Sequence, residues 1–81
     1  MTTLYTKPGC VQCTALARSM TRAGIDFDIV DISEDREAFD LVVGMGFRQV
    51  PVVVADGIDP FSGFNPAKVE ELAQVSAAPS P

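Results

Sequence analysis

Apolar positions along the chain follow two different periods, and the changes from one to the other divide it into seven segments. Leu4-Tyr5-Thr6 is short and β-prone, and Pro8-Gly9 halts it at once, so a first strand runs into a sharp loop. From Val11 to Ala23 the apolar residues Cys13, Leu16, Ala17, Met20 and Ala23 recur at intervals of three and four, the helical period, and Gly24 supplies a stop. Phe27 to Ile32 reads as a second strand. Ser33, followed by Glu34, Asp35 and Glu37, is placed to cap a second helix with acids at the positive end of its dipole. Ala38, Phe39, Val42 and Val43 form that helix's expected buried stripe, which ends at Gly44-Met45-Gly46.

Beyond the loop Phe47-Arg48-Gln49, Val50 to Ala55 reads as a buried strand, and Asp56-Gly57 is a two-residue hairpin turn leading to Ile58. Pro60 lacks an N–H for a second ladder and makes the returning strand an edge strand. Ser62-Gly63-Phe64 forms a turn, Asn65 caps, Pro66 suits the first helical position, and Val69, Leu72 and Ala73 face inward from a third helix. Val75 to Pro81 has little to bury and is expected to form a tail behind a domain of residues 1–74. The order is β-α-β-α-β-β-α. A right-handed β-α-β crossover makes its strands parallel and the hairpin adds an antiparallel pair, so the expected class is α/β, with a four-stranded mixed sheet flanked by helices.

Composition narrows the chemistry. With 81 residues the chain forms one domain, of expected radius of gyration roughly 12 Å. Six basic against eleven acidic residues give a net charge of −5, and the cations Lys7, Arg18, Arg22, Arg36, Arg48 and Lys68 are scattered. Nucleic-acid binding needs clustered cations and is not expected. The chain starts without a charged segment followed by an apolar stretch, and its longest aliphatic run is too short to span a bilayer, so the expected location is the cytoplasm, away from membranes. Nothing in the pattern calls for a large exposed apolar patch, so a monomer is expected. Histidine is absent, which removes imidazole bases and Cys2His2 zinc sites.

Cysteine chemistry remains. Cys10 and Cys13 close a four-residue loop, worth only ~2 kcal/mol as a staple on the chain-entropy estimate. Cys10 lies where the loop enters the first helix, among the unpaired N–H groups of the first turn and at the positive end of the dipole. That placement lowers a thiol from about 8.5 towards ~3.5 to 7.5. Neither Val11 nor Gln12 is proline, so both intervening N–H groups remain donors. Cys13 opens the apolar stripe whereas Cys10 precedes it on the open side, so Cys10 is the expected attacking sulfur and Cys13 the resolving one. Lys7, three residues upstream, either adds positive potential at the thiolate or is simply solvated. The same spacing serves Cu(I) or Zn(II) carriers, and two copies could supply four thiolates to an iron–sulfur cluster. One pair without histidine cannot complete a tetrahedral site, and small copper carriers have methionine where Pro8 stands, so no metal is expected.

Three motifs together point further: Tyr5-Thr6-Lys7-Pro8-Gly9-Cys10-Val11-Gln12-Cys13, Phe47-Arg48-Gln49-Val50-Pro51-Val52-Val53 and Phe61-Ser62-Gly63-Phe64-Asn65-Pro66. Over about residues 2 to 73 the chain resembles the NrdH-redoxins, glutaredoxin-like proteins of the thioredoxin fold. The resemblance implies a minimal glutaredoxin-type version of that fold and a hydrogen donor for the large subunit of class Ib ribonucleotide reductase. It further implies reduction by thioredoxin reductase, so that NADPH and FAD enter only through that partner and the redoxin binds no cofactor beyond its Cys10–Cys13 disulfide. Val50-Pro51 corresponds to a loop with a cis proline, although the residues alone read Pro51 as a strand-starting proline. The surface offered to partners comprises Lys7, Pro8, Val11, Gln12, Val50, Pro51, Ser62, Gly63 and Phe64. Glutaredoxins that use glutathione carry Pro-Tyr between the cysteines and a Gly-Gly-x-Asp turn. This chain has Val11-Gln12 and Ser62-Gly63-Phe64-Asn65 instead, which leaves a glutathione-dependent glutaredoxin as the alternative reading. Phe61 replaces a frequent tryptophan of the family and Asn65 a frequent arginine. Core packing is an equal expectation for Phe61 and Phe64.

Overall fold

The computed structural model describes residues 1–76. Its elements are β1 (Thr2–Thr6), α1 (Val11–Arg22), β2 (Asp28–Asp31), α2 (Arg36–Gly44), β3 (Val52–Ala55), β4 (Ile58–Ser62) and α3 (Pro66–Ser76), the order the periodicity predicts. The strands lie side by side as β2-β1-β3-β4. β1 pairs parallel with β2 and antiparallel with β3, and β3 pairs antiparallel with β4, which places the Pro60 strand at an edge. Ala55 pairs with Ile58, so Asp56-Gly57 is the two-residue connection, and of the two only Gly57 has positive φ. α3 runs through Ser76, two residues past the expected domain end at 74. Helical pattern there outlasts the buried stripe, which closes at Ala73. The remainder of the expected tail, 77–81, lies outside the described residues.

Alternation along the two central strands builds a core on each face of the sheet. Leu4 and Val53 point into one layer, with Leu16 and Met20 from α1, Val69 and Leu72 from α3, and Phe61 from β4. Tyr5 and Val52 point the other way, onto Ala38 and Val42 of α2. Phe61 is therefore a core residue, the packing alternative of the two expectations for it, whereas Phe64 is 39% exposed.

α2 differs from expectation in two respects. Its cap is Asp35, whose Oδ1 accepts the Ala38 N–H at 3.1 Å. Ser33 is held elsewhere: its N–H and hydroxyl both donate to Asp31 Oδ1, at 2.8 and 2.6 Å, turning the chain before the helix begins. The buried stripe is also narrower, since only Ala38 and Val42 are buried while Phe39 and Val43 are 42% and 53% exposed. Residues one position further along a helix are rotated by about 100°, so Phe39 and Val43 fall on its flank. At the hairpin end of β3, away from Pro51, the Met1 ammonium donates to Asp56 Oδ2 at 2.8 Å. That hydrogen bond, and secondarily the positive charge, holds the Asp56 carboxyl below its ordinary value.

Candidate functional site

The site begins with the bend at Pro8-Gly9. Gly9 has φ +74°, a conformation that suits a residue without Cβ, and it delivers Cys10 in an extended conformation (φ −89°, ψ 104°) to the mouth of α1. Cys10 is the N-cap. Its Sγ accepts the Cys13 N–H at 3.1 Å, in the place where a cap normally offers an oxygen. The first turn of α1 carries no acidic residue, so no carboxylate offsets the positive helix end beside this sulfur. Both features favour negative charge on Cys10 once the pair is reduced.

Cys10 and Cys13 are joined as a disulfide, with Cα atoms 5.2 Å apart. The sulfurs are unequal: Cys13 is 3% exposed beside Leu16 at the start of the apolar face, whereas Cys10 is half-buried. Among the described residues no group of three or more His, Cys, Asp or Glu is placed to hold a metal ion, and no helix is long and apolar enough to cross a membrane.

A second segment arrives from forty residues away. The Val50 carbonyl oxygen lies 3.8 Å from Cys10 Sγ, the Val50–Pro51 peptide bond is cis, and Pro51 is fully buried beneath it. A third segment is tied to the second. The Gly63 N–H donates to the Pro51 carbonyl at 2.9 Å, and the Ser62 hydroxyl donates to the Gln49 carbonyl at 3.3 Å. Gly63 takes φ +84° in making this turn, and Asn65 Oδ1 accepts the Ala67 N–H at 3.0 Å to start α3. The loops are thus linked through Ser62 and Gly63, although Asn65 stands where the family often has arginine.

Of the residues expected to meet partners, the fold brings Val50 onto Cys10 and links Pro51, Ser62 and Gly63 in one loop cluster. Lys7, Pro8, Val11 and Gln12 are exposed around the cysteine loop, Val11 at 83%. Phe64 is exposed in the turn after β4. Lys7 also lines a groove of about 370 Å³ with Phe39, Val43, Phe47, Arg48 and Val50. Sequence reasoning missed this groove because it assigned Phe39 and Val43 to the core. Their i, i+4 spacing on the margin of the stripe was the available signal.

Comparison with known proteins places this arrangement in a family. The glutaredoxin family profile matches residues 2–58, most of the chain. This chain belongs to the glutaredoxin family. Within it the redoxin is similar to the glutaredoxin-like protein NrdH of Escherichia coli K12, at 40% identity over 70 residues, 86% of this chain and 85% of that one. The gene 56 protein of Mycobacterium phage L5 is 44% identical over 71 residues, covering 86% of this chain and 69% of that protein. The solved structure of Escherichia coli NrdH-redoxin superposes with a TM-score of 0.84 and 38% identity, over 99% of this chain and 97% of that one. The resemblance carried by the three motifs and the thioredoxin-like fold it implied are both met. Like its family, the redoxin is a thiol–disulfide oxidoreductase with a Cys-x-x-Cys pair.

Proposed function

We propose that this redoxin is the electron donor of class Ib ribonucleotide reductase, oxidised by the large subunit of that enzyme and reduced again by NADPH-dependent thioredoxin reductase. It works as a cytoplasmic monomer and binds no cofactor of its own; FAD and NADPH belong to the reductase. The observation that carries the reading is the position of Cys10 Sγ, half-exposed, accepting the Cys13 N–H at a helix mouth without acids, and bridged to a buried neighbour.

In the forward half-reaction the Cys10 thiolate attacks one sulfur of the partner's disulfide. A mixed disulfide forms and the partner's other sulfur leaves as a thiolate. Cys13, as thiolate, then attacks Cys10 Sγ and expels the partner's second sulfur. Two electrons and two protons pass to the partner, and Cys10–Cys13 is left oxidised. Lys7, Pro8, Val11 and Gln12 from the cysteine loop, with Val50, Ser62, Gly63 and Phe64, form the surface on which the partner's chain lies; Pro51, expected there too, is buried and instead supports the Val50 carbonyl from beneath.

The choice of partners is supported by the relatives named glutaredoxin-like protein NrdH and by the Escherichia coli redoxin, whose structure was solved as the basis of a thioredoxin-like activity profile. Absence of the Pro-Tyr and Gly-Gly-x-Asp signatures supports a reductase over glutathione as the reductant. Two coupled assays test this. NADPH with thioredoxin reductase is expected to recycle the oxidised protein, and NADPH with glutathione reductase and glutathione is not; recycling by glutathione alone overturns the partner assignment. Trapping tests the roles: Cys13→Ser is expected to accumulate a mixed disulfide through Cys10, and an adduct formed through Cys13 in the Cys10→Ser variant alone refutes them.

A further inference from the structure

The sheet has two edges, and their backbones are protected unequally. β4 carries Pro60, which has no N–H to offer a further strand. β2, at the other edge, has no proline. β1 and β2 are parallel, and the Ile32 N–H donates to the Thr6 carbonyl at 2.9 Å. Backbone groups alternate in direction along a strand, so Val30 and Asp28 also face β1, whereas the N–H and C=O of Ile29 face outward. The side chain of Ile29 is 59% exposed at the same place.

The groove behind this edge supplies a second, independent feature. It encloses about 580 Å³ between α1 and β2, with Leu4, Ala17, Phe27 and Ile29 as its apolar walls. Arg18 and Arg22 stand exposed at its rim, and none of its lining residues is acidic. Among the described residues no carboxylate lies within salt-bridge distance of either arginine. Residues four apart on a helix have Cβ atoms about 6 Å apart, and alternate residues of a strand are separated by about 6.6 Å. A strand added beside β2 therefore presents every second side chain to the groove at nearly the spacing of the two arginines. Its intervening side chains emerge on the opposite face, beside the exposed Asp28.

We infer that the β2 edge and this groove form a docking strip for an extended, acidic segment of a protein partner. The segment adds to the sheet through the main chain of Ile29, lays an apolar side chain against Ile29 and Phe27, and sets alternating carboxylates against Arg18 and Arg22. Neutral residues separate its acids, because consecutive acids face Asp28. A second copy paired through Ile29 brings two such arginine pairs onto one face of the joined sheet, so the occupant is a different chain. The strip shares no residue with the proposed exchange surface, and the segment needs no cysteine. For a partner that also exchanges with Cys10, the strip is a tether that raises the effective concentration of its disulfide.

The test uses the full-length oxidised protein, isotope-labelled for amide NMR, and cysteine-free peptides built on Val-Thr-Glu-Thr-Glu between Gly-Ser ends. The Ile29 amide is expected to shift on titration and to exchange more slowly with solvent. Replacing both Glu by Gln in the peptide, or combining Arg18→Gln with Arg22→Gln in the protein, is expected to weaken binding about three- to tenfold. N-methylation of the valine, whose N–H faces the edge, is expected to abolish binding, and N-methylation of the next threonine, whose N–H faces away, to preserve it. No shift at millimolar peptide, equal affinity of the Glu and Gln peptides, unchanged affinity of the arginine variant, or equal behaviour of the two N-methyl peptides overturns the strip. Protection of the Ile29 amide that grows with protein concentration in the absence of peptide assigns the edge to a second copy and overturns the inference as well. None of these outcomes bears on exchange at Cys10, which the trapping experiment tests separately.

Discussion

A sulfur occupies the position of a capping oxygen at Cys10, and most of the chemistry follows from that exchange of atoms. The Cys13 N–H that a serine or aspartate would satisfy points at Sγ instead, 3.1 Å away, so the helix terminus stabilises the charged form of the residue proposed to attack. Cys13 gains none of this, being buried at the base of the apolar stripe. Under limiting iodoacetamide at neutral pH, peptide mapping of the reduced protein is expected to find Cys10 alkylated about tenfold or more faster than Cys13. Comparable rates at the two positions would remove the asymmetry on which the proposed order of attack depends. Spacing alone made this pair legible, since Pro8-Gly9 announces a loop and the three-four period announces a helix.

At the scale of elements, α2 shows where local signals compete. Ser33 and Asp35 are both suitable N-caps, and choosing between them requires knowing that Asp31, at the end of β2, captures Ser33 first. Asp35→Ala is expected to destabilise the protein by about 1 kcal/mol, the ordinary worth of a cap, and Ser33→Ala by distinctly less, both measured by urea unfolding. The reverse ranking would return the cap to Ser33. The same helix explains the missed groove. As the one helix among the described residues packed on its face of the sheet, α2 buries Ala38 and Val42 and leaves Phe39 and Val43 uncovered beside the 47–50 loop. A periodic pattern records which residues share a helix side, but the width of the stripe that is covered depends on what packs against it.

The molecule as a whole is held by its two packed layers rather than by the disulfide. The radius of gyration is 12.1 Å, matching the expectation for a chain of this length. Closing a four-residue loop removes little chain entropy, so reduction with dithiothreitol is expected to cost at most about 2 kcal/mol and leave the protein folded. Leu16→Ala, which empties a fully buried site between α1 and the sheet, is expected to cost about 2–5 kcal/mol in the same urea experiment. Unfolding on reduction would show instead that the bridge is structural. From the sequence by itself came the order of elements, the mixed sheet, the exposed loop before Cys10 and the unequal placing of the two cysteines. The elements and the cysteine placement arise within a few residues, where periodicity, caps, proline and glycine act, and the handedness of the crossover then makes the sheet mixed. Only the tertiary structure set the Val50 carbonyl against Cys10, tied Gly63 to Pro51, and gathered Lys7 and Arg48 around one acid-free groove. Those contacts join segments about forty residues apart, and they exist because β1 and β3 run side by side at the centre of the sheet, a pairing that no local preference encodes.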